Sequence, residues 1–143
     1  MTKLTILRGI SGSGKSTYAE ENYPNAAICS ADDYFIMDGN YNFDPSKLSE
    51  AHGSCFRWAN NYLSEGCDVV IDNTNTQVWE MAPYILLAQS MHAKIEIIRI
   101  ECNPSVAAKR NVHGVPEHII TRMCDRMEAP LPFWPREKTV GPF

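Results

Sequence analysis

The stretch Gly9-Ile-Ser-Gly-Ser-Gly-Lys-Ser-Thr17 follows a short apolar run, Lys3-Leu-Thr-Ile-Leu-Arg8, and precedes a segment of helical character. Its spacing, G-x-x-x-x-G-K-S, is typical of a phosphate-binding loop between a strand and a helix. Glycines let the backbone adopt positive φ and approach a ligand without a Cβ clash. The sequence therefore predicts that backbone N–H groups of this loop and the helix N-terminus bind phosphate.

Two side chains of the loop have predicted roles of their own. Lys15 is expected to place its ammonium against the β- and γ-phosphates of a nucleotide, and the Ser16 hydroxyl to ligate Mg²⁺. The residues that we expect to contact the nucleotide are Gly9, Ser11, Gly12, Ser13, Gly14, Lys15, Ser16 and Thr17.

The composition is that of an ordinary globular protein, with 44% hydrophobic and 21% charged residues among 143. We expect residues 1–143 to form a single domain. No apolar run approaches ~18 residues, so we expect no membrane span. The five cysteines lack C-x-x-C spacing and no basic-then-apolar leader is seen, which predicts reduced thiols and a cytoplasmic location.

Charge is distributed unevenly along the chain, whose net charge is −4. Residues 1–93 contain 5 basic and 11 acidic side chains, and residues 94–143 contain 8 and 6. The acidic balance argues against a broad nucleic-acid interface. Any site that binds a polyanion is expected to use the second half.

Strand-like and helix-like segments alternate along the chain, which predicts an α/β fold with a parallel sheet covered on both faces. Beyond the strand before the loop, we expect strands over 26–30, 68–72 and 94–100. Helices are expected after Thr17, from Pro45 to Gly66 with Asp44 as N-cap, over 77–91, over 104–111 with Asn103 as cap, and from Pro116. Pro83 should kink or divide the third helix. The tail, 129–143, contains four prolines and is expected to be an extended strap.

Acidic residues end two of the predicted strands. Asp72 follows Val69-Val-Ile71 and is expected either to take part in the coordination shell of Mg²⁺ or to cap the following turn. Asp32 and Asp33 follow the strand over 26–30, at the edge where open α/β sheets bind ligands. One of the two could act as a general base, while the alternative is that both are solvated turn residues.

Cations and aromatic residues near these motifs allow two interpretations each. Lys109 and Arg110 precede His113-Gly114 and could belong to a movable lid whose guanidinium stabilises transferring phosphate. Alternatively they are cations at a helix C-terminus.

The aromatic residues of the loop over 34–43, with Trp79 and Trp134, could stack on a base or pack in the core.

Four motifs together resemble one family. GISGSGKST at 9–17, SADDYF at 30–35, VVIDNTNTQVWEM at 69–81 and KRNVHGVP at 109–116 are similar to P-loop kinases of the polynucleotide 5′-kinase type. The resemblance implies the P-loop NTPase fold: three α/β/α layers, a five-stranded parallel sheet of order 2-3-1-4-5, and a helical lid over about 109–118. It also implies ATP and Mg²⁺ as cofactors, with Asp32 as base and Arg110 as the lid arginine.

The sequence indicates the phosphate acceptor less clearly than the phosphate donor. Polynucleotide kinases of the phage type flank the acidic pair with arginines, whereas Ala31 and Phe35 occupy these positions here. We expect an ATP- and Mg²⁺-dependent phosphotransferase that acts on a hydroxyl, most simply a nucleic-acid 5′-OH, with Lys15, Asp32 and Arg110 as catalytic residues. The alternatives are a kinase for a small metabolite such as a nucleoside, sugar or antibiotic, and a nucleotide-dependent binding module with little turnover.

Overall fold

Five parallel strands form the central sheet of the computed structural model, which describes residues 1–143. In chain order they are β1 (Lys3–Arg8), β2 (Ala27–Cys29), β3 (Val69–Asp72), β4 (Lys94–Ile100) and β5 (Lys138–Val140). Their spatial order is β2-β3-β1-β4-β5, and every neighbouring pair is parallel. The predicted α/β fold and the strand order 2-3-1-4-5 are thereby confirmed.

The register places the ends of the two central strands side by side. Leu7 of β1 is aligned with Asp72 of β3 on one side and with Ile98 of β4 on the other. Because β1 leads into the phosphate-binding loop, this alignment puts Asp72 beside the start of that loop. Topology therefore brings together two motifs that lie more than fifty residues apart in sequence.

The tail contains a strand that the sequence did not predict. Residues 129–143 were expected to be an extended strap, and within them Lys138–Val140 form the edge strand β5. The backbone N–H of Glu101 donates to the carbonyl oxygen of Val140 at 2.9 Å and extends this pairing. Three residues among prolines are too few to show the period-2 pattern by which a strand is predicted.

Five α-helices connect and cover the strands. They are α1 (Lys15–Asn22), α2 (Leu48–Ser64), α3 (Val78–Ser90), α4 (Pro104–Arg110) and α5 (Glu117–Asp125). Short 3₁₀ turns span Ala31–Phe35 and Pro45–Lys47, and a small hairpin pairs Ile36–Met37 with Asn40–Tyr41. No helix of the structure is both long and apolar enough to cross a membrane.

The predicted helix boundaries agree with local capping chemistry. Asp44 accepts a hydrogen bond from the Ser46 N–H and begins the turn that leads into α2, and Gly66 follows that helix at φ 84°. Asn103 caps α4 in the same way through the Ser105 N–H.

Pro83 was expected to kink or divide the third helix, and it does not divide it, because α3 is continuous through this residue. A proline in a helix interior removes one backbone hydrogen bond. Burial offsets this loss: the buried side chains of α3 are Met81, Tyr84, Ile85, Leu87 and Ala88. Tertiary packing therefore outweighs the local propensity of a single residue.

Side chains of β1 point alternately to the two faces of the sheet, and the two faces pack in separate apolar layers. Leu4 and Ile6 pack in the main core with residues of α2 and α3, whereas Leu7 packs with Ala19 of α1 on the other face. A third, smaller cluster joins Ile10 of the phosphate-binding loop to α4 and α5. The loop is thus supported from both the sheet and the two helices that follow β4.

Candidate functional site

The phosphate-binding loop has the backbone conformation that its glycines predict. Gly12 and Gly14 adopt φ values of 83° and 101°, in the left-handed region that favours glycine. A Cβ atom on Gly12 would lie 2.2 Å from the carbonyl oxygen of Ala107 in α4. Gly12 therefore also permits the close approach between the loop and α4.

Lys15 begins α1 and is held by its own loop. Its ammonium donates hydrogen bonds to the carbonyl oxygens of Gly9 and Ile10, at 2.9 and 3.0 Å. Burial lowers the pKa of Lys15, while the nearby carboxylates of Asp72 and Asp32 act in the opposite direction. The side chain is thus preorganised across the loop, next to two carboxylates.

Ser16 and Asp72 meet directly, as the register of β1 and β3 requires. The Ser16 hydroxyl donates to Asp72 Oδ2 at 2.7 Å, and Asp72 is only 7% exposed. Hydroxyl and carboxylate oxygens are hard donors of the kind that Mg²⁺ prefers. The chemistry of this donor pair fits a magnesium ion bound between the loop and β3.

Most of the predicted nucleotide contacts line one cleft of about 680 Å³: Ser11, Gly12, Gly14, Lys15, Ser16 and Thr17. Gly9 and Ser13 do not. Ser13 is fully buried, and its hydroxyl has no hydrogen-bond partner, so its side chain faces the protein interior. The Ser13 backbone N–H donates to the Ile10 carbonyl oxygen at 3.1 Å, so the structure gives Ser13 no contact with the cleft.

The acidic pair lies on the opposite wall of this cleft, in the 3₁₀ turn after β2. The turn is fixed at its start, where Ser30 Oγ accepts from the Asp32 N–H at 3.2 Å. Asn73, the residue after Asp72, accepts from the Ala31 N–H at 2.8 Å through its Oδ1. The acidic pair is thereby attached to the end of β3.

The two acids of the pair have different surroundings. Asp33 is partly enclosed by the cleft wall, and this desolvation, followed by the charges of Asp72 and Asp32, raises its pKa. The Asp32 side chain is 51% exposed, and its two oxygens face Tyr41 and His113. Both acids are exposed to solvent, and Asp32 is the one whose oxygens are contacted from the hairpin and from the lid segment.

The predicted lid supplies the third wall. Arg110, the last residue of α4, lines the cleft with the Asn111–His113 segment that follows it. Its guanidinium donates to the Cys102 sulfur at 3.1 Å. The structure thus brings all three predicted catalytic residues, Lys15, Asp32 and Arg110, to one cleft.

The aromatic residues, for which core packing and base stacking were both open, have different surroundings. Phe35 is buried and Trp134 packs against the main core. Trp79 is 65% exposed, outside the residues that line the cleft. Tyr41 lies beside Asp32 and stacks on the His113 ring, with centroids 4.2 Å apart.

Several residues that organise the site were missed by sequence reasoning. Arg8 is fully buried and donates to the carbonyl oxygens of Asn75, Thr76 and Glu128 at 2.7 to 3.0 Å. Asn75, at φ 47°, donates in turn to the Leu7 carbonyl oxygen at 2.8 Å. A charged residue at the end of an apolar strand was the one available signal for this network.

Comparison with known proteins places these features in a family. The sequence model of a family described as an AAA domain matches residues 4–130. NEDD4-binding protein 2 from Homo sapiens is 39% identical over 137 residues, which cover 87% of this chain and 8% of that protein. The chain therefore corresponds to a small part of this human relative.

Two solved structures share the fold. A chain of the Pnkp1/Rnl/Hen1 RNA repair complex superposes with a TM-score of 0.73 at 22% identity, over 88% of this chain and 44% of that one. A sugar kinase from Janibacter sp. HTCC2649 superposes with a TM-score of 0.69 at 16% identity, over 98% and 85%. Since the family match spans the phosphate-binding loop, both acidic strand ends and the lid segment, the chain belongs to this family of AAA domains, and it shares its fold with P-loop kinases.

Proposed function

We propose that the protein is an ATP- and Mg²⁺-dependent phosphotransferase that moves the γ-phosphate to a hydroxyl acceptor, a nucleic-acid 5′-OH in the first instance. The observation that carries this proposal is the convergence of Lys15, the Ser16–Asp72 pair, Asp32 and Arg110 on one cleft. The RNA repair complex among the structural neighbours supports a nucleic-acid acceptor.

On the donor side, the loop N–H groups and Lys15 would bind the phosphates of ATP. Ser16 and Asp72 would hold Mg²⁺, which supplies neutralisation of phosphate charge when bound. Arg110, at the rim of the cleft, would offset charge on the transferring phosphoryl group. Positioning and electrostatic stabilisation account for most of the rate in this type of reaction.

On the acceptor side, Asp32 would act as the general base. The acceptor O–H bond breaks, its proton passes to an Asp32 carboxylate oxygen, and the acceptor oxygen forms a bond to the γ-phosphorus. The bond from that phosphorus to the bridging oxygen of ADP breaks, and ADP leaves. We assign this role to Asp32 because the family resemblance implies the first acid of the pair and because the lid segment contacts its carboxylate.

A second candidate is a small-metabolite kinase, which the charge of the cleft favours. Beside the acid pair the turn contains Ala31 and Phe35, both buried, and no arginine that could hold the phosphate of a polynucleotide. The sugar kinase among the structural neighbours agrees with this alternative. It predicts that transfer is insensitive to competing oligonucleotides.

The deciding experiment measures transfer from γ-labelled ATP with Mg²⁺ to 5′-OH RNA, 5′-OH DNA and a pool of hydroxylated metabolites. Asp32→Asn is the test variant and Asp33→Asn its matched control. Label on an oligonucleotide that Asp32→Asn abolishes supports the first proposal, and label only on a metabolite supports the second. Bound ATP with no labelled product would overturn both and favour a nucleotide-dependent binding module.

The proposal also covers the domain organisation and the cellular location. We treat residues 1–143 as one kinase domain with a lid over 109–118. The five cysteines are free thiols, which suits a reducing, cytoplasmic compartment.

A further inference from the structure

Asp32 is contacted from two separate elements of the structure. The Tyr41 hydroxyl, on the small hairpin, donates to Asp32 Oδ1 at 3.3 Å. On the other side, Nε2 of His113, in the lid segment, lies 3.7 Å from Asp32 Oδ2. Each oxygen of the carboxylate therefore has its own neighbour.

The backbone of the lid segment around His113 is held by local hydrogen bonds. Asn111 Oδ1 accepts from the His113 N–H at 3.0 Å, and Asn111 Nδ2 donates to the Val115 carbonyl oxygen at 2.7 Å. Gly114 follows at φ 69°, a conformation that favours glycine and lets the chain turn at this point. The result is a compact turn that presents His113 to the acceptor side of the cleft.

Tyr41 supports His113 from the hairpin. The two rings are stacked with centroids 4.2 Å apart and planes inclined by 35°. Burial, together with the charge of Asp32 and the hydrogen bond to it, raises the pKa of Tyr41 to about 12, so its hydroxyl keeps its proton at neutral pH and donates. Tyr41 thus contacts both the carboxylate and the histidine beside it.

We propose that His113 is a positioning residue for Asp32: through its contact with Asp32 and its stack on Tyr41, it aligns the carboxylate that receives the acceptor's proton when the lid segment covers the cleft. The inference rests on the proposed function and adds a residue to it. The other groups near His113 are the Asp33 carboxylate and, on its own segment, Arg110.

Two substitutions at His113 distinguish the contribution of the aromatic ring from that of Nε2. His113→Phe keeps a flat ring on Tyr41 but removes Nε2, whereas His113→Gln removes the ring and keeps a hydrogen-bond donor. His52→Phe, on α2 and outside the residues that line the cleft, is the matched control for exchanging a histidine for phenylalanine. We expect His113→Phe to lower kcat for transfer by about tenfold, less than the loss of a general base. ATP affinity should stay within twofold, and His113→Gln should recover part of kcat.

A double-mutant cycle tests whether His113 acts through Asp32. If it does, His113→Phe has no further effect in single-turnover transfer once Asp32 is replaced by asparagine. An equal loss in both backgrounds would indicate a general structural role and overturn the inference, while the proposed function would stand. An unchanged kcat in His113→Phe would overturn it as well.

NMR of the nucleotide-free protein provides a readout that does not depend on activity. At constant pH the carbon-bound ring protons of His113 should shift in Asp32→Asn, and should lose the ring current of Tyr41 in Tyr41→Leu. If the wild-type protein transfers phosphate to no acceptor, the proposed function fails. In that case unchanged His113 signals in both variants overturn the inference separately, whereas shifted signals support the contact on which it depends.

Discussion

A partly buried ion pair joins Arg8, the last residue of β1, to Glu137, the residue before β5, although 129 positions separate them in the chain. The same guanidinium binds three backbone carbonyl oxygens, two from the loop after β3 and one from Glu128. Arg8 immediately precedes the phosphate-binding loop. Its side chain therefore fixes that loop, the loop after β3 and the tail relative to one another. Its planar fork of donors suits this role, which a lysine ammonium could not reproduce.

We predict that Arg8→Met lowers the free energy of unfolding by about 3–5 kcal/mol, because it leaves Glu137 and three carbonyl oxygens without their partner. Glu137→Gln keeps an acceptor and is expected to cost about 1 kcal/mol. Urea unfolding followed by circular dichroism measures both. Equal losses in the two variants would contradict the view that Arg8 is the centre of this network.

Gly12 and Gly14 offer a matched pair for the phosphate-binding loop. Both have positive φ, but a Cβ on Gly12 meets the Ala107 carbonyl, whereas a Cβ on Gly14 has no heavy atom within 4 Å. Gly14→Ala should therefore cost only the left-handed strain of about 1–2 kcal/mol. Gly12→Ala should cost more, and should weaken ATP binding because the loop must move away from α4. Thermal unfolding and ATP titration on both variants test this difference.

Sequence reasoning succeeded where a feature is encoded locally. The glycine spacing of 9–14, the apolar run before Asp72 and the caps Asp44 and Asn103 each follow from a few adjacent residues, and the structure has them where expected. The strand order came from a family resemblance, since no local pattern states which strands are neighbours.

Features that depend on distant partners could not be predicted in the same way. The strand over 138–140 exists because β4 offers it an edge, and α3 continues through Pro83 because five of its side chains are buried. The same holds for the candidate site: no spacing in the sequence relates Asp32 to Tyr41 and His113, which come from a hairpin and the lid segment. These contacts are products of the tertiary fold.

Lys15→Ala should abolish phosphate transfer while leaving the fold intact. The substitution removes the ammonium expected at the β- and γ-phosphates, and we expect a loss of more than about 100-fold. Unfolding free energy should change by less than about 2 kcal/mol, because losing two hydrogen bonds to loop carbonyls is partly offset by removing a buried charge. Retained transfer activity would refute the role assigned to Lys15, and circular dichroism checks that the variant is folded.

The five thiols should differ in reactivity. Burial raises the pKa of Cys29 to about 12 and also raises that of Cys55, so little thiolate forms on either at pH 8. Cys67, Cys102 and Cys124 are only partly buried. We predict that iodoacetamide at pH 8 modifies these three first, and that Cys29 and Cys55 react only after urea unfolds the protein. Peptide mass spectrometry at increasing times measures the order, and early modification of Cys29 would contradict it.

Asn73 links the two acidic strand ends, so its loss should affect acceptor chemistry more than ATP binding. Asn73→Ala leaves the buried Ala31 N–H without its acceptor, which costs about 1–3 kcal/mol and loosens the turn that contains Asp32. We expect a lower kcat for transfer and an ATP dissociation constant within about twofold of wild type. Cys55→Ser is the control, since it alters the weak 3.6 Å contact of the Asn73 amide but keeps the bond to Ala31. If Asn73→Ala weakened ATP binding and transfer equally, Asn73 would be supporting the Asp72 side of the cleft and not the turn of Asp32.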